Sequence, residues 1–396
     1  MKVVIDEKKI EEILTRGVEK VYPNKSVLEK VLISGKKIKL YYGIDPTGST
    51  LHLGHLVQLL KLKKFQDFGH EIIILIGDFT AQIGDPTDKQ ATRQPLTHRQ
   101  VLDNAKGYKR QIGKILDLKK SNVRFVYNEK WTNKLTPEDL LELASHFTVS
   151  NLLTRNMFQE RIKAGREVYA HEFLYPIFQA YDAVSMDVDL QIGGNDQMFN
   201  MLAGRDLMKR KKNKEMFVLT TKLLTDPTGK KMGKSEGNMV TLEDSGVDMF
   251  GKIMSWPDTL MPLAFEICTR VSMSEVDKIK QINPRDQKMR LAFEIVKIYH
   301  GEKKAKEAEE NFINTFQKKE IPEDMEEVKC ESGEVLSEVL VRSKILSSKG
   351  EWRRLVLENA IHDLLKNENI TDVNLKVSEN LTLKIGKKRF IKVVVK

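Results

Sequence analysis

Lys39-Leu40-Tyr41-Tyr42-Gly43-Ile44-Asp45-Pro46-Thr47-Gly48-Ser49-Thr50-Leu51-His52-Leu53-Gly54-His55 decides how the rest of the chain is read. Leu40, Tyr41 and Tyr42 make a short apolar run with the pattern of a buried strand. Gly43 to Gly48 is a turn, since proline sets φ near −65° and glycine admits positive φ. Ser49 or Thr50 is then placed to cap a helix. Leu56, Leu59, Leu60, Leu62 and Phe65 recur at helical spacing, Gly69 closes the helix, and Ile72 to Ile76 is a second, wholly apolar strand. Strand, turn, helix and strand predict a β–α–β unit, and with it an α/β fold built on a parallel sheet.

The start of such a helix attracts anions through its unpaired amides and its dipole. Here it carries His52 and His55, three residues apart and so on one face. Gly54 between them lets a flat or bulky group approach the backbone. The set suits a nucleotide triphosphate, with the imidazoles donating to phosphate oxygens. Two other readings stay open for the pair alone: ordinary surface histidines, or two metal ligands. No cysteine or histidine cluster accompanies them to complete a metal site, and no protein-bound metal is predicted.

The chain has 396 residues, a length for two or three domains, and its 40% apolar content is enough for real cores. Its net charge of +10 favours polyanionic partners, nucleic acid first among them, and residues 331–396 carry +4 of it. Cys268 and Cys330 make no disulfide framework. No apolar run reaches membrane-spanning length and Met1 to Asp6 lacks a signal-peptide pattern, so a cytoplasmic protein with no membrane partner is expected.

Residues 1–38 read as a charged helical packing segment, with Ile10, Ile13, Leu14 and Val18 at helical spacing. Gly77 to Thr87 is a loop at a strand's carboxyl end, where open α/β sheets bind ligands. Residues 95–170 read as helices around a strand Val123–Tyr127. Phe173, Tyr175, Phe178, Gln179 and Asp182 fall on one helix. Strand Val188–Ile192 leads into the loop Gly193 to Gln197. Lys209 to Lys212 is a solvated helix end, and Val218 to Leu224 is another strand. Residues 247–320 are helical, and the acidic stretch after them is a linker. The last part alternates between short helices, Val335–Leu340 and Ser348–Leu357, and a hairpin from Leu381 to Val395.

Tyr41-Tyr42-Gly43-Ile44-Asp45-Pro46-Thr47 with His52-Leu53-Gly54-His55 resembles the first signature of class I aminoacyl-tRNA synthetases. Lys231-Met232-Gly233-Lys234-Ser235 resembles the second. The tyrosine before the Asp-Pro-Thr turn narrows the resemblance to the tyrosyl-tRNA synthetases, and it spans nearly the whole chain. It implies an N-terminal helical segment 1–38 and a Rossmann-like catalytic domain 39–244, whose helical insertion forms a homodimer interface. A helical anticodon-binding domain 245–325, a linker 326–334 and an α+β RNA-binding module 335–396 of the S-four type complete the chain. The implied partners are L-tyrosine, ATP with Mg2+, and tRNA(Tyr).

The same resemblance distributes roles. Thr47, His52 and His55 match donors to the ATP phosphates; Lys89, Arg93, Lys231 and Lys234 match cations around pyrophosphate. Gly43, Asp45, Gly54, Gly194, Asp196, Lys234 and Ser235 match ATP-contacting positions, Asp196 at the ribose. Gly193 and Gly194 leave room for the nucleotide beside the backbone. Tyr41 and Asp182 match the pair that takes the substrate's phenol hydroxyl: an ionised carboxylate accepts and a phenol donates, so the two bracket one hydroxyl. Asp85, Tyr175 and Gln179 match the ammonium site, and Gln197 lies near the reacting carboxylate. Lys349, Arg353 and Arg354, with Lys387 to Arg389, suit an RNA surface. Gly233 replaces the serine of the usual Lys-Met-Ser-Lys-Ser form. Glu358-Asn359-Ala360-Ile361 stands where the family has a Gly-Gly-Val turn, which puts that loop in question.

Two rivals remain at this level. A tryptophan-specific sibling would have no use for Tyr41 with Asp182, because an indole carries no phenolic hydroxyl. An RNA-binding protein on a retired synthetase scaffold would have no need to keep both histidines, both loop lysines and the pocket residues.

Overall fold

The structure is a computed structural model and describes residues 2–85, 96–225, 239–316, 325–366, 368–386 and 389–395. It divides into two compact units, Met1–Lys306 and Glu307–Lys396.

The larger unit is built on a six-stranded sheet: β1 (Val18–Tyr22), β2 (Lys39–Ile44), β3 (Glu71–Ile76), β4 (Val123–Tyr127), β5 (Leu190–Gly194) and β6 (Phe217–Thr221), in the order β1-β6-β5-β2-β3-β4. Five strands run parallel, and β1 lies antiparallel on β6 at the edge. Helices cover both faces of a sheet of this kind, so its strands read as apolar runs without alternation. Ile72 to Ile76 are each no more than 2% exposed. From β2 the chain winds outward through β3 and β4, then crosses back to β5 and β6 on the other side. The switch point therefore lies between β2 and β5, where such sheets open a crevice at their carboxyl ends.

The first 38 residues depart from the expected helix. Glu7–Thr15 is helical, but Gly17 takes φ +64 and Val18 opens β1. Val18 comes four residues after Leu14, so helical spacing runs on through a break that the backbone makes. The expected cap of the next long helix also moves. Leu53–Asp67 is capped by His52 rather than by Ser49 or Thr50. Strand bounds shift by one to three residues: β5 begins at Leu190 and β6 ends at Thr221. Lys209 to Lys212 do end the helix Met198–Lys212, with Asn213 left-handed beyond them.

Helices Gly246–Met254, Met261–Cys268, Met273–Ile279 and Pro284–His300 belong to this same unit. Arg16 fastens one of them: its guanidinium donates to the carbonyls of Phe265, Glu266 and Thr269 at 2.8 to 3.0 Å.

The smaller unit holds β7 (Glu326–Cys330), β8 (Ile361–Asp363), β9 (Glu368–Asn369), β10 (Leu381–Ile385) and β11 (Arg389–Val395), in the order β7-β11-β10-β8-β9. Leu336–Arg342 and Lys349–Leu357 are its helices, and Trp352, Leu340, Ile361, Leu383 and Val393 fill its core. The stretch expected to be a linker instead supplies β7, parallel to β11. In Glu-Glu-Val-Lys-Cys, Val328 and Cys330 point inward and the charged residues outward. The density of charge hides that two-residue alternation.

Replacing Val328, 4% exposed on β7, by aspartate puts an unpaired carboxylate into this core and should cost about 3 kcal/mol or more. Limited proteolysis of Val328→Asp should cut residues 325–395 while sparing the sheet of the larger unit; equal resistance to wild type would remove β7 from the core.

Candidate active site

The crevice is lined by the segments that leave the parallel strands at their carboxyl ends. After β2 the turn 45–51 is strapped from below: Asn104 Nδ2 donates to Pro46 O at 2.9 Å, Tyr108 OH to Gly48 O at 2.6 Å, and Gln111 accepts from Leu51 N at 2.7 Å. This delivers the chain to His52. Its Nδ1 accepts from Gly54 N at 3.1 Å, and His55 Nδ1 accepts from His52 N at 3.2 Å. The ring centroids are 4.0 Å apart. An Nδ1 that accepts leaves the proton of a neutral imidazole on Nε2, so both rings are set as Nε2 donors. Gly54 has a reason within the chain as well. A Cβ there would meet His52 Cε1 at 2.7 Å, so the flat group it admits is the His52 ring itself.

Thr47 is exposed on this turn. Residues 239–242 come back against the same place: Leu53 N donates to Val240 O at 3.1 Å and Leu242 N to Leu51 O at 2.8 Å. Lys231, Lys234 and Ser235 lie outside the described residues, as do Lys89 and Arg93.

Tyr41 and Asp182 are brought to one side of the sheet, within electrostatic reach of each other, with 0% and 2% exposure. The Tyr41 hydroxyl is buried without a hydrogen-bond partner. Asp182 accepts from Trp131 Nε1 at 2.7 Å and from Asn128 Nδ2 at 3.2 Å. Asn128 Nδ2 also reaches Thr80 Oγ1 at 3.1 Å, Thr80 donates to Asp45 at 2.8 Å, and Tyr175 OH donates to the other Asp45 oxygen at 2.7 Å. One hydrogen-bonded line thus joins the strand ends of β2, β3 and β4 to the helix Ala170–Met186.

Burial pushes the Asp182 carboxyl up to about 8, with Trp131 and Asn128 opposing and Asp45 and Asp78 adding like charge. Burial likewise pushes Asp45 up to about 7. Burial therefore favours the protonated form of Asp182, against the ionised carboxylate expected. Burial, then the Asp182 charge, raises the Tyr41 phenol well above its ordinary range.

A second line runs beside the first. Gln197 Nε2 donates to Asp85 at 2.5 Å, Asn200 Nδ2 reaches Gln197 Oε1 at 3.1 Å and Gln179 Oε1 at 3.0 Å, and Arg155 approaches Asp85 at 3.4 Å. Asp85, Gln179 and Gln197 are thereby gathered, as the sequence led one to expect. Tyr175 donates to Asp45, and the Asp85 charge is felt by both. Asp196 comes directly after β5, and its charge reaches the buried Tyr42 phenol, which burial and Asp196 together raise far above its ordinary range. Gly43 is exposed beside Tyr42. A Cβ at Gly194 would lie 2.5 Å from Asp196 Oδ1 and 2.9 Å from Leu223 Cδ2, so here too the protein's own side chains need the space.

Residues 34–317 match the family described as tRNA synthetases class I (W and Y). A tyrosine–tRNA ligase of Carboxydothermus hydrogenoformans is 42% identical over 402 residues and 97% of each chain. One of Thermotoga maritima is 40% identical over 390 residues and 96% of each. The chain belongs to the class I tyrosyl-tRNA synthetases. The fold agrees. A crystal structure of tyrosyl-tRNA synthetase from Archaeoglobus fulgidus, complexed with L-tyrosine, superposes with a TM-score of 0.60 at 21% identity, over 77% of this chain and all of that one. A C-terminally truncated mitochondrial tyrosyl-tRNA synthetase of Aspergillus nidulans gives 0.64 at 21% identity, over 78% and 94%.

Sequence reasoning about this synthetase missed Thr80, Asn128, Trp131, Arg155 and Asn200. Thr80 and Asn128 stand just past β3 and β4, so position at a strand's carboxyl end could have flagged them. Trp131, Arg155 and Asn200 carry no local signal. In the smaller unit Lys349, Arg353 and Arg354 are exposed on one helix, with Lys349 paired to Glu338 at 2.7 Å. The unusual Glu358-Asn359-Ala360 stretch still makes a turn. Asn359 takes φ +52, and Ala360 N donates to Leu355 O at 2.8 Å. Asparagine serves at the left-handed position that glycine usually fills.

The raised Asp182 value has a pH consequence. The folded state holds a proton that an unfolded aspartate releases near pH 4. Stability without substrate should be full below that and fall as pH rises to about 8. Asp182→Asn should flatten the fall, measured by urea unfolding at about pH 5 and about pH 9; an unchanged slope in the variant would place the proton elsewhere.

Proposed function

We infer that the chain is a tyrosine–tRNA ligase, which activates L-tyrosine with ATP and then esterifies the 3′-terminal adenosine of tRNA(Tyr). The observation that carries this reading is the buried Tyr41 hydroxyl without a partner, beside an Asp182 carboxyl held from behind by Trp131 and Asn128. A phenol hydroxyl placed between them satisfies both. A phenylalanine ring leaves both unsatisfied, and a buried polar group left so is costly.

In the first step a carboxylate oxygen of tyrosine attacks the α-phosphorus of ATP. The new P–O bond forms as the bond to the β-phosphate oxygen breaks, and pyrophosphate leaves. No protein nucleophile is required. The protein aligns two anions and meets the charge that grows on phosphate oxygens. His52 and His55 donate from Nε2, with Thr47 beside them on the turn. Lys231 and Lys234, and Lys89 and Arg93, neutralise pyrophosphate, and Ser235 assists on the same loop. Asp85 takes the substrate ammonium and Asp196 the ribose, with Gln197 next to the reacting carboxylate. In the second step a terminal ribose hydroxyl of tRNA attacks the carbonyl and AMP leaves.

Mg2+ would enter with ATP and would neutralise phosphate charge. It needs few protein ligands, and Asp45 and Asp85 already serve protein donors. Among the described residues, the group of three metal-type ligands is Asp78, His98 and Glu129. It lies toward the amino-acid end, where Asp78 is felt by Asp182. These donors are compatible with an ion that would arrive with the nucleotide.

Leu141, Val149 and Ile162 are 72%, 67% and 50% exposed on the inserted helices, which supports a homodimer that covers them. The exposed Lys349, Arg353 and Arg354, and the helices after residue 245, serve tRNA, so binding weakens with salt. Among the described residues no helix is long and apolar enough to cross a membrane; we place the enzyme in the cytoplasm.

Exchange of labelled pyrophosphate into ATP should depend on tyrosine and fail with phenylalanine or tryptophan. No exchange with tyrosine would defeat the reading. Lys234→Ala should slow adenylate formation by about 100-fold or more with tyrosine affinity nearly unchanged; a comparable loss of affinity would put that lysine at the amino acid instead.

A further inference from the structure

Arg155 is the one cation buried at the amino-acid end among the described residues, and no step of the ligase reaction uses it. It stands before the helix Asn156–Lys163 but makes no side-chain cap there. Its side chain is 3% exposed. The guanidinium lies 5.4 Å from the Phe158 ring centroid and 5.3 Å from that of Phe199. Aromatic neighbours of this kind favour a guanidinium and restrict its plane. Nη2 points to Asp85 Oδ1 at 3.4 Å, while Nη1 is buried with no hydrogen-bond partner.

A buried guanidinium nitrogen without an acceptor is expensive, and a charged acceptor is what would relieve it. The 3.4 Å approach to Asp85 is also long for a charge-assisted bond, so Asp85 does not consume this cation. Asp85 and Arg155 together present a carboxylate next to a guanidinium. An α-amino acid presents the reverse, an ammonium next to a carboxylate. The two pairs are complementary in charge and in spacing, since both place opposite charges a few ångströms apart.

We propose that Arg155 binds the α-carboxylate of the amino-acid substrate through Nη1, while Asp85 binds its ammonium. The proposal rests on the reading of Asp85 as the ammonium acceptor. Its consequence for the reaction is orientation. Held at one oxygen, the carboxylate presents the other to the α-phosphorus of ATP. Arg155 exchanges no proton and forms no covalent bond; it is a substrate-binding residue.

The test uses the full-length protein, with L-tyrosine and tyrosinol as probes. Tyrosinol keeps the phenol and the ammonium and carries a hydroxymethyl group in place of the carboxylate. Wild-type protein should bind tyrosine at least about tenfold more tightly than tyrosinol, by equilibrium dialysis. Arg155→Met should bring that ratio close to one, by losing tyrosine affinity while tyrosinol affinity changes less than about twofold. Arg155→Lys, which keeps the charge but not the fork, should fall between. A ratio of affinities does not depend on the fraction of folded variant, and the wild-type ratio needs no variant at all. Equal wild-type affinities would overturn the proposal. So would an equal loss of both ligands in Arg155→Met, which would make the residue a brace for Asp85. So would a gain for both, which would make it a competitor for Asp85. Pyrophosphate exchange by the wild type separates the two levels: exchange with a failed ratio removes Arg155 alone, whereas no exchange removes the ligase reading beneath it.

Discussion

A carboxyl group inside a protein must be held by donors, give up its charge, or both, and Asp182 does both. Trp131 and Asn128 hold its two oxygens while burial drives its proton affinity up. That single commitment fixes much else. Asn128 must stand at the end of β4, with Trp131 one helical turn further on. The helix Ala170–Met186 must lie over the sheet with Tyr175, Gln179 and Asp182 facing the strand ends. The same Asn128 passes the constraint on through Thr80 to Asp45 and Tyr175. The phenol end and the turn that delivers His52 are thereby parts of one bonded arrangement.

Five aspartates, at positions 45, 78, 85, 182 and 196, crowd the carboxyl ends of these strands. Burial first, then the charges of Asp85 and Asp78, raise Asp45; burial first, then the charges of Asp45 and Asp78, raise Asp182. Such a cluster of buried carboxyls is electrostatically unfavourable by itself. On the proposed reading an ammonium and a ribose would relieve it, which would couple stability to substrate binding. The triphosphate end is treated in the opposite way. The donors proposed there are the His52 and His55 imidazoles, whose Nδ1 atoms accept from backbone N–H groups.

The pairing of Tyr41 with Asp182 came only through the family resemblance, whereas the β–α–β unit, the apolar strands and the loops at their carboxyl ends were legible in the chain. Each leaves a local mark: an uninterrupted apolar run, a Pro-Gly turn, a spacing of three, four or seven. Where reading failed, the local mark pointed elsewhere. Val18 kept helical spacing into a strand, and Glu326 to Cys330 carried too much charge to look like one. At Gly54 and Gly194, read as room for a ligand, an added Cβ would also meet this chain's own side chains, His52 at the first and Asp196 and Leu223 at the second.

Composition and spacing by themselves determined the class of fold, the order of its parts and the residue types able to do the chemistry, because strand burial, helix period and turn chemistry act over a few neighbouring residues. Only the tertiary structure decided which donors face which carboxyls. It brought Trp131 and Asn128 to Asp182, Asn200 between Gln179 and Gln197, and Arg155 to Asp85 across 70 positions of sequence. Electrostatic energies and hydrogen bonds depend on separation in space, and the chain in line order carries no record of that separation.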